Sequence, residues 1–171
     1  MALLTDTGVR TQRKALITVA EWTPAGGSSQ TPTRQILGVR TEDSSIELNP
    51  DIETVTDILG ITYTDVNKTE PQQDFDPFYV IGGSALHDYL TTAILANDID
   101  AYSNAFTVYI IAAYQGSVGE YRCAKHEGCS IIPTSIGGDA HVNLPIEVHY
   151  SNNITTGKVD ALTDSFVFTA D

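Results

Sequence analysis

Cys123, His126 and Cys129 stand at even spacing, C-x2-H-x2-C, and are the chain's closest approach to a metal-ligating motif. Structural zinc takes four ligands in a tetrahedron, and this run supplies three; a fourth would have to come from elsewhere, from His141 or His149. The surrounding segment EYRCAKHEGCSII, residues 120–132, reads as a hairpin turning at Glu127–Gly128. That places His126 opposite Cys129 and Cys123 opposite Ile132, so the two thiols point away from a shared centre. The expectation is a pair of ordinary strand cysteines, free in a reducing compartment, and no bound metal. Two cysteines are also too few for a disulfide-built scaffold.

Other reactive constellations are equally thin. Nucleophilic catalysis needs a Ser or Cys held against a base and an orienting group. His87, beside Asp88 on a helical stretch, reads as a solvated residue, and His149 falls on the polar face of a strand. The carboxylate pairs Asp74/Asp76 and Asp98/Asp100 lie in loop-like sequence, whereas glycoside hydrolysis needs carboxylates at a separation fixed by a rigid frame. The GGSS run at 26–29 has no lysine after it and no strand-to-helix turn before it, so it is no phosphate cradle. The Asn67–Lys68–Thr69 and Asn153–Ile154–Thr155 sequons are chance matches without a secretory route. No enzymatic activity and no cofactor are expected.

The elements that would position any site are strands. A chain of 171 residues with 42% apolar content is one domain's worth with a real core. Gly, Pro and Asn punctuate it at short intervals, which is the rhythm of an all-β sandwich or barrel. KALITVAEW (14–22) is apolar on both faces and reads as an inner strand; QILGVRT (35–41) follows as another. SSIELNPDIETV (44–55) alternates, predicting a half-buried strand with Ile46, Leu48 and Ile52 inward and Glu47, Asp51 and Glu53 outward, with Pro50 marking a sheet edge or a bend. DILGITYTDV (57–66) continues as strand with Gly60 at a bulge or kink. AFTVYIIAAYQG (105–116) is the strongest buried strand, VNLPIEVHY (142–150) alternates with Val142, Leu144, Ile146, Val148 and Tyr150 inward, and KVDALTDSFVFTA (158–170) closes the chain as a hairpin or strand. One helix, about 84–97, is predicted: Ser84 can cap it, and Leu86, Tyr89, Leu90, Ala93 and Ile94 form one stripe.

Charge is unevenly spread. The net charge is −13; residues 41–77 carry ten of the 22 acids and one base, Lys68, while residues 1–40 carry five bases and two acids. Nucleic-acid binding wants clustered cations, so most of this surface should repel it. A basic start and an acidic middle can instead attract each other between copies. With no secretory signal and no apolar run long enough to span a bilayer, the chain is expected to be soluble, made in the cytoplasm, and not a membrane partner.

One stretch runs on beyond the strand that ends at Val66. Residues 65–78 (DVNKTEPQQDFDPF) have few aliphatics to anchor a loop of that length, and long loops in compact domains are usually functional or disordered. Prolines stiffen it, and Phe75 and Phe78 suit docking, because aromatic anchors dominate interfaces.

The order of these segments resembles the major tail proteins, or tail tube proteins, of tailed bacteriophages. It runs from a β-rich start through ELNPDIETVTDILGITYTDVNKTEPQQDFDPF, a Gly-Gly entry to one helix in IGGSALHDYLTTAILAN, the strand VYIIAAY, and PTSIGGDAHVNLPIEVHYSNNITTGKV. The resemblance covers most of the chain, about residues 14–168. It implies a mainly β, sandwich- or barrel-like tail tube fold with one flanking helix. It also implies self-assembly into hexameric rings that stack into a hollow tube, through which viral DNA passes. Implied partners are the protein itself, a tape-measure protein, a tail terminator and baseplate or distal tail proteins, with double-stranded DNA only in transit. The implied location is the virion tail, assembled in the host cytoplasm.

In that family a long loop reaches a neighbouring subunit, and the matching residues here are Asp65, Asn67, Lys68, Glu70, Pro71, Asp74, Phe75, Asp76, Pro77 and Phe78. Residues 1–13, with Leu3, Leu4, Arg10 and Arg13, correspond to an N-terminal arm, and residues 14–171 to a single tube domain. Glu47, Asp51 and Glu53, on the polar face of one predicted strand, are the candidate lumen-facing acids, with an outer solvated face as the alternative. The same tube fold serves contractile injection systems, which is the alternative role. A β-sandwich ligand-binding module is a further alternative, but it would usually expose a cluster of aromatics, and Trp22 is the only tryptophan.

Overall fold

The computed structural model describes residues 11–24 and 31–171. Its strands are β1 (Leu16–Trp22), β2 (Thr33–Ile36), β3 (Ile46–Glu47), β4 (Pro50–Thr56), β5 (Thr62–Thr69), β6 (Gln72–Phe75), β7 (Phe106–Ser117), β8 (Glu120–Pro133), β9 (Ile146–His149), β10 (Ile154–Val159) and β11 (Phe168–Ala170). The helix α1 is Ala85–Ala96. The fold is mainly β with one helix. Nine strands form an antiparallel sheet in the order β2-β1-β7-β8-β9-β6-β3, with β10 and β11 branching from β8, and β4 and β5 form a separate two-stranded ladder.

The branch is made by β8. The segment expected to turn at Glu127–Gly128 is one continuous strand instead. Residues Tyr121–His126 lie between β7 and β10, and Ser130–Pro133 pair with β9. Between them Gly128 adopts φ +79°, and the register against β7 shifts from Thr107↔Glu127 to Phe106↔Cys129. This is a β-bulge, and its extra residue reverses which side chains face which way. Tyr121 and Cys123 therefore enter one core, while Cys129 and Ile131 enter the other.

Both faces of the central strands are thus covered. On one side Ala20, Trp22, Phe106 and Val108 pack with Phe75, Phe78, Leu86, Leu90, Leu144, Ile146 and Val148. On the other Val19, Tyr109, Ile111 and Ala113 pack with Cys123, Val159 and Phe166. Two-sided burial explains why β1 and β7 read as nearly continuous apolar runs. Gln73 ties the first layer together. Its Oε1 accepts from Thr18 Oγ1 (3.0 Å) and Tyr150 Oη (2.7 Å), and its Nε2 donates to Ser44 Oγ (3.0 Å). A buried amide with its partners in place fixes how the layers sit on each other.

Helix α1 lies where its stripe predicts, with Leu86, Leu90 and Ala93 buried. Ser84 does not cap it with its own side chain; its Oγ donates to Gln35 Oε1 (2.9 Å), which also accepts from the Leu86 amide (3.1 Å). A β2 side chain does the capping. Asn97 ends the helix in the left-handed conformation. QILGVRT is shorter as a strand than expected, ending at Ile36 before a turn with Gly38 at φ +89°. Val142, expected inward with the residues of β9, is exposed, whereas Leu144, Ile146, Val148 and Tyr150 are buried.

His87 is also not solvated: it is buried, stacked on Phe78 with ring centroids 4.5 Å apart. Its Nδ1 accepts from the Ile81 amide (3.5 Å) and its Nε2 has no partner among the described residues. Burial lowers its pKa, an effect only partly opposed by Asp88. The unfolded chain therefore takes up this proton first as pH falls, and His87's contribution to stability is present above about pH 6.5 and lost below it. Urea denaturation between pH 7.5 and 5 should show stability falling in the wild type and a shallower fall in His87→Gln.

Candidate inter-subunit surface

The sequence-derived loop at 65–78 divides into two structures. Asp65, Asn67 and Lys68 belong to β5, the returning strand of a hairpin, and Glu70 and Pro71 form its root. Asp74 and Phe75 belong to β6, which pairs with both β3 and β9 inside the main sheet. Phe75 is 1% and Phe78 3% exposed, their rings 6.3 Å apart in the first core. Asp76 Oδ1 accepts from Asn143 Nδ2 (3.1 Å), and the Pro77 carbonyl accepts from Thr41 Oγ1 (3.0 Å). Phe75 and Phe78 are core residues of their own domain and not docking anchors. Their acidic and proline neighbours disguise a short strand whose alternate side chains point inward.

The projecting element is the hairpin β4–β5. It begins and ends at a tight root: Asn49 takes φ +43°, the Glu70 amide donates to the Leu48 carbonyl (3.1 Å), and Asn49 Nδ2 donates to the Glu70 carbonyl (3.2 Å). Pairs run from Pro50↔Thr69 to Thr56↔Thr62. Seven residues of extended chain reach about 24 Å. The predicted strand 57–66 is interrupted by the tip. Asp57 Oδ1 accepts from the amides of Leu59 (2.8 Å) and Ile61 (2.9 Å), and Gly60 sits at φ +79° as the left-handed residue of a three-residue turn.

Every residue of β4 and β5 is exposed, and the two strands pack chiefly on each other. The inward set expected for residues 44–55 fails for this reason. Ile46 is half-buried in β3, but Leu48 is 59% and Ile52 57% exposed. Glu47, Asp51 and Glu53 are exposed, and they do not share one strand: Glu47 lies on β3, Asp51 and Glu53 on β4. Val55, Ile61, Tyr63 and Val66 are also exposed, Leu59 is 78% exposed, and Ile58 is wholly in solvent.

Alternation gives the hairpin two unlike faces. Ile52, Thr54 and Thr56 stand across from Val66, Thr64 and Thr62, so one face is uncharged and entirely β-branched. Glu53 and Val55 stand across from Asp65 and Tyr63, so the other is acidic with an apolar pair beside it. A bulge between Asp51 and Ile52 brings Lys68 opposite Asp51, but Lys68 Nζ bonds Glu70 (2.6 Å). A lone two-stranded ladder is marginal in water, and this one leaves apolar side chains exposed on both faces and at its tip.

The remaining sequence-derived residues fall as follows. Leu3, Leu4 and Arg10 lie outside the described residues. Arg13 opens a 3-10 turn over Arg13–Ala15 and donates to the Ser44 carbonyl from Nε (3.1 Å) and Nη2 (2.6 Å), so it is anchored to the domain and not part of a free arm. Cys123 and Cys129 are free, buried, and in different cores. Burial pushes the Cys123 thiol up to about 12 and raises that of Cys129. His126 is buried, its Nδ1 3.0 Å from the Ser151 carbonyl and its ring edge-on to Tyr150. Sequence reasoning missed the uncharged hairpin face, although TVT…TYTDV carried it as a run of alternating threonines.

No family model matches the sequence, and no curated protein matches it. Among solved structures, the chain is similar to one from the sheath–tube complex of an extracellular contractile injection system, PVC, in the extended state. That match has a TM-score of 0.49 and 11% identity over 90% of this chain and 95% of the other. It is also similar to a chain of the anti-feeding prophage (AFP) baseplate, with a TM-score of 0.45 and 13% identity over 89% and 97%.

Two variants separate core from surface. Phe75→Ala should cost about 3–5 kcal/mol, the range for truncating a buried aromatic. Ile58→Ser with Leu59→Ser should change stability by no more than about 0.5 kcal/mol, as for exposed positions. Urea midpoints at a concentration too low for self-association measure both.

Proposed function

We propose that this chain is a structural subunit, not a catalyst, that assembles with copies of itself into a tail tube. The observation that carries the proposal is the β4–β5 hairpin. It leaves Ile52, Val55, Ile58, Leu59, Ile61, Tyr63 and Val66 about half exposed or more, and among the described residues its two strands pack chiefly on each other. A second copy is the natural cover, because a hairpin inserted into the next subunit makes a head-to-tail contact, and such contacts close into rings or extend as filaments. The resemblance of the sequence to tail tube proteins gives the finer form: hexameric rings stacked into a hollow tube.

Other features are consistent with that role. At −13 the chain does not favour tight phosphate binding, as suits a conduit through which DNA must slide. Joining strands between subunits also removes sheet edges, which are otherwise an aggregation liability. In this reading the assembly is a virion tail, ending on terminator and baseplate-type proteins and built in the host cytoplasm around a tape-measure protein.

Negative-stain microscopy of the concentrated protein should show rings or tubes on the order of 10 nm across, the scale of a barrel of many strands. Ile52→Asp with Val66→Asp should leave the subunit folded and abolish the polymer. A wild-type chain that stays monomeric at high concentration overturns the proposal.

A further inference from the structure

The cations of the described residues divide into two groups. Arg34, Lys68, Arg122, Lys125 and Lys158 each reach a carboxylate within their own chain. Arg13, Lys14 and Arg40 are exposed and reach none among the described residues. Arg13 and Lys14 rim one groove of about 300 Å³, whose walls include Leu16, Ile17 and Ile36; Arg40 is not in its lining but immediately precedes Thr41, which is. Glu42 lines the groove too, but none of the three cations comes within ion-pair distance of it. The site joins an aliphatic wall of Leu16, Ile17 and Ile36 to the polar side chains of Thr18, Thr41 and Ser44, with cations at its rim that no carboxylate of the described residues pairs.

The acidic hairpin face has the complementary pattern. Glu53 and Asp65 are direct cross-strand partners, and like charges in that position destabilise a ladder unless a cation is brought to them. The next pair along, Val55 and Tyr63, is apolar and about half exposed. Carboxylates beside an apolar pair fit cations beside apolar walls.

We infer that the acidic face of the hairpin, centred on Glu53 and Asp65, docks in the Arg13–Lys14–Arg40 groove of a second copy. The inference rests on the self-assembly proposed above and specifies its contact. Val55 and Tyr63 cover the aliphatic wall, and Lys14 and Arg40 neutralise the opposed carboxylates. The uncharged Ile52–Val66 face is then left for a different surface of the assembly. Because both halves of the contact lie on every copy, it propagates from subunit to subunit. Complementary charge also selects the register of docking and quickens encounter, and salt weakens it.

Charge reversal tests this. Glu53→Lys with Asp65→Lys, and separately Lys14→Glu with Arg40→Glu, should each raise the concentration at which sedimentation detects assembly by at least about tenfold, the effect of ~1.4 kcal/mol. All four substitutions in one chain should restore it, as should an equimolar mixture of the two reversed proteins. Arg13 is left unchanged because it holds Ser44. Reversed variants that assemble like the wild type overturn the docking and leave self-assembly standing. Loss of assembly that the four-fold variant does not restore means that the groove receives some other segment, and overturns it equally. A monomeric wild type instead defeats the self-assembly on which the inference rests.

Discussion

The structure depends on one strand serving two layers. β8 pairs with β7 and β10 over its first half and with β9 over its second. The switch is possible because Gly128 takes a positive φ that costs a glycine little. Without the bulge, Cys129 and Ile131 would fall on the same side as Tyr121 and Cys123. The first core would then lose its contribution from β8. With it, the sheet closes around Phe75, Phe106 and Ile146 on one side and around Tyr109, Ile111 and Phe166 on the other. The buried Gln73, bonded to Thr18, Ser44 and Tyr150, then holds β6 against β1.

That arrangement builds two cores and leaves the β4–β5 hairpin outside both. The two cores of the main sheet are covered by α1 and by the segment running from Ala161 to Phe168. Among the described residues, nothing gives the β4–β5 hairpin such cover. Its threonine pairs, its aspartate-braced tip and its rooted base give it a defined shape without a core. A preformed strand pair loses less conformational freedom on docking than a loop that must first order. The separation of the two faces, one uncharged and one acidic, lets a single hairpin meet two different surroundings.

Much of the domain was legible in the sequence because local pattern and final environment agree. β1 and β7 are apolar on both faces and are buried on both; α1 carries its stripe at helical spacing and buries it. Reading failed where the same pattern serves two environments. Glu127–Gly128 marks a turn or a bulge equally well, and the choice is made by β7 and β10, which lie elsewhere in the chain. Phe75 and Phe78 sit among Asp and Pro, and their burial depends on β9, some seventy residues away. Leu48 and Ile52 alternate with acids as a half-buried strand does, and alternation does not tell cover by the same domain from cover by another copy. The buried His87 went unread for a similar reason, since the Phe78 that receives it comes from outside the helix.

The central claim is that the hairpin exists to be covered by another copy of the chain. Hydrogen–deuterium exchange of the amides at 50–69, compared between dilute and concentrated protein, tests it most directly. Fast exchange in the dilute subunit, giving way to strong protection on assembly while the amides of β7 and β8 stay protected throughout, is the predicted result. Hairpin amides that exchange equally fast in the assembled and dissociated protein would contradict the account.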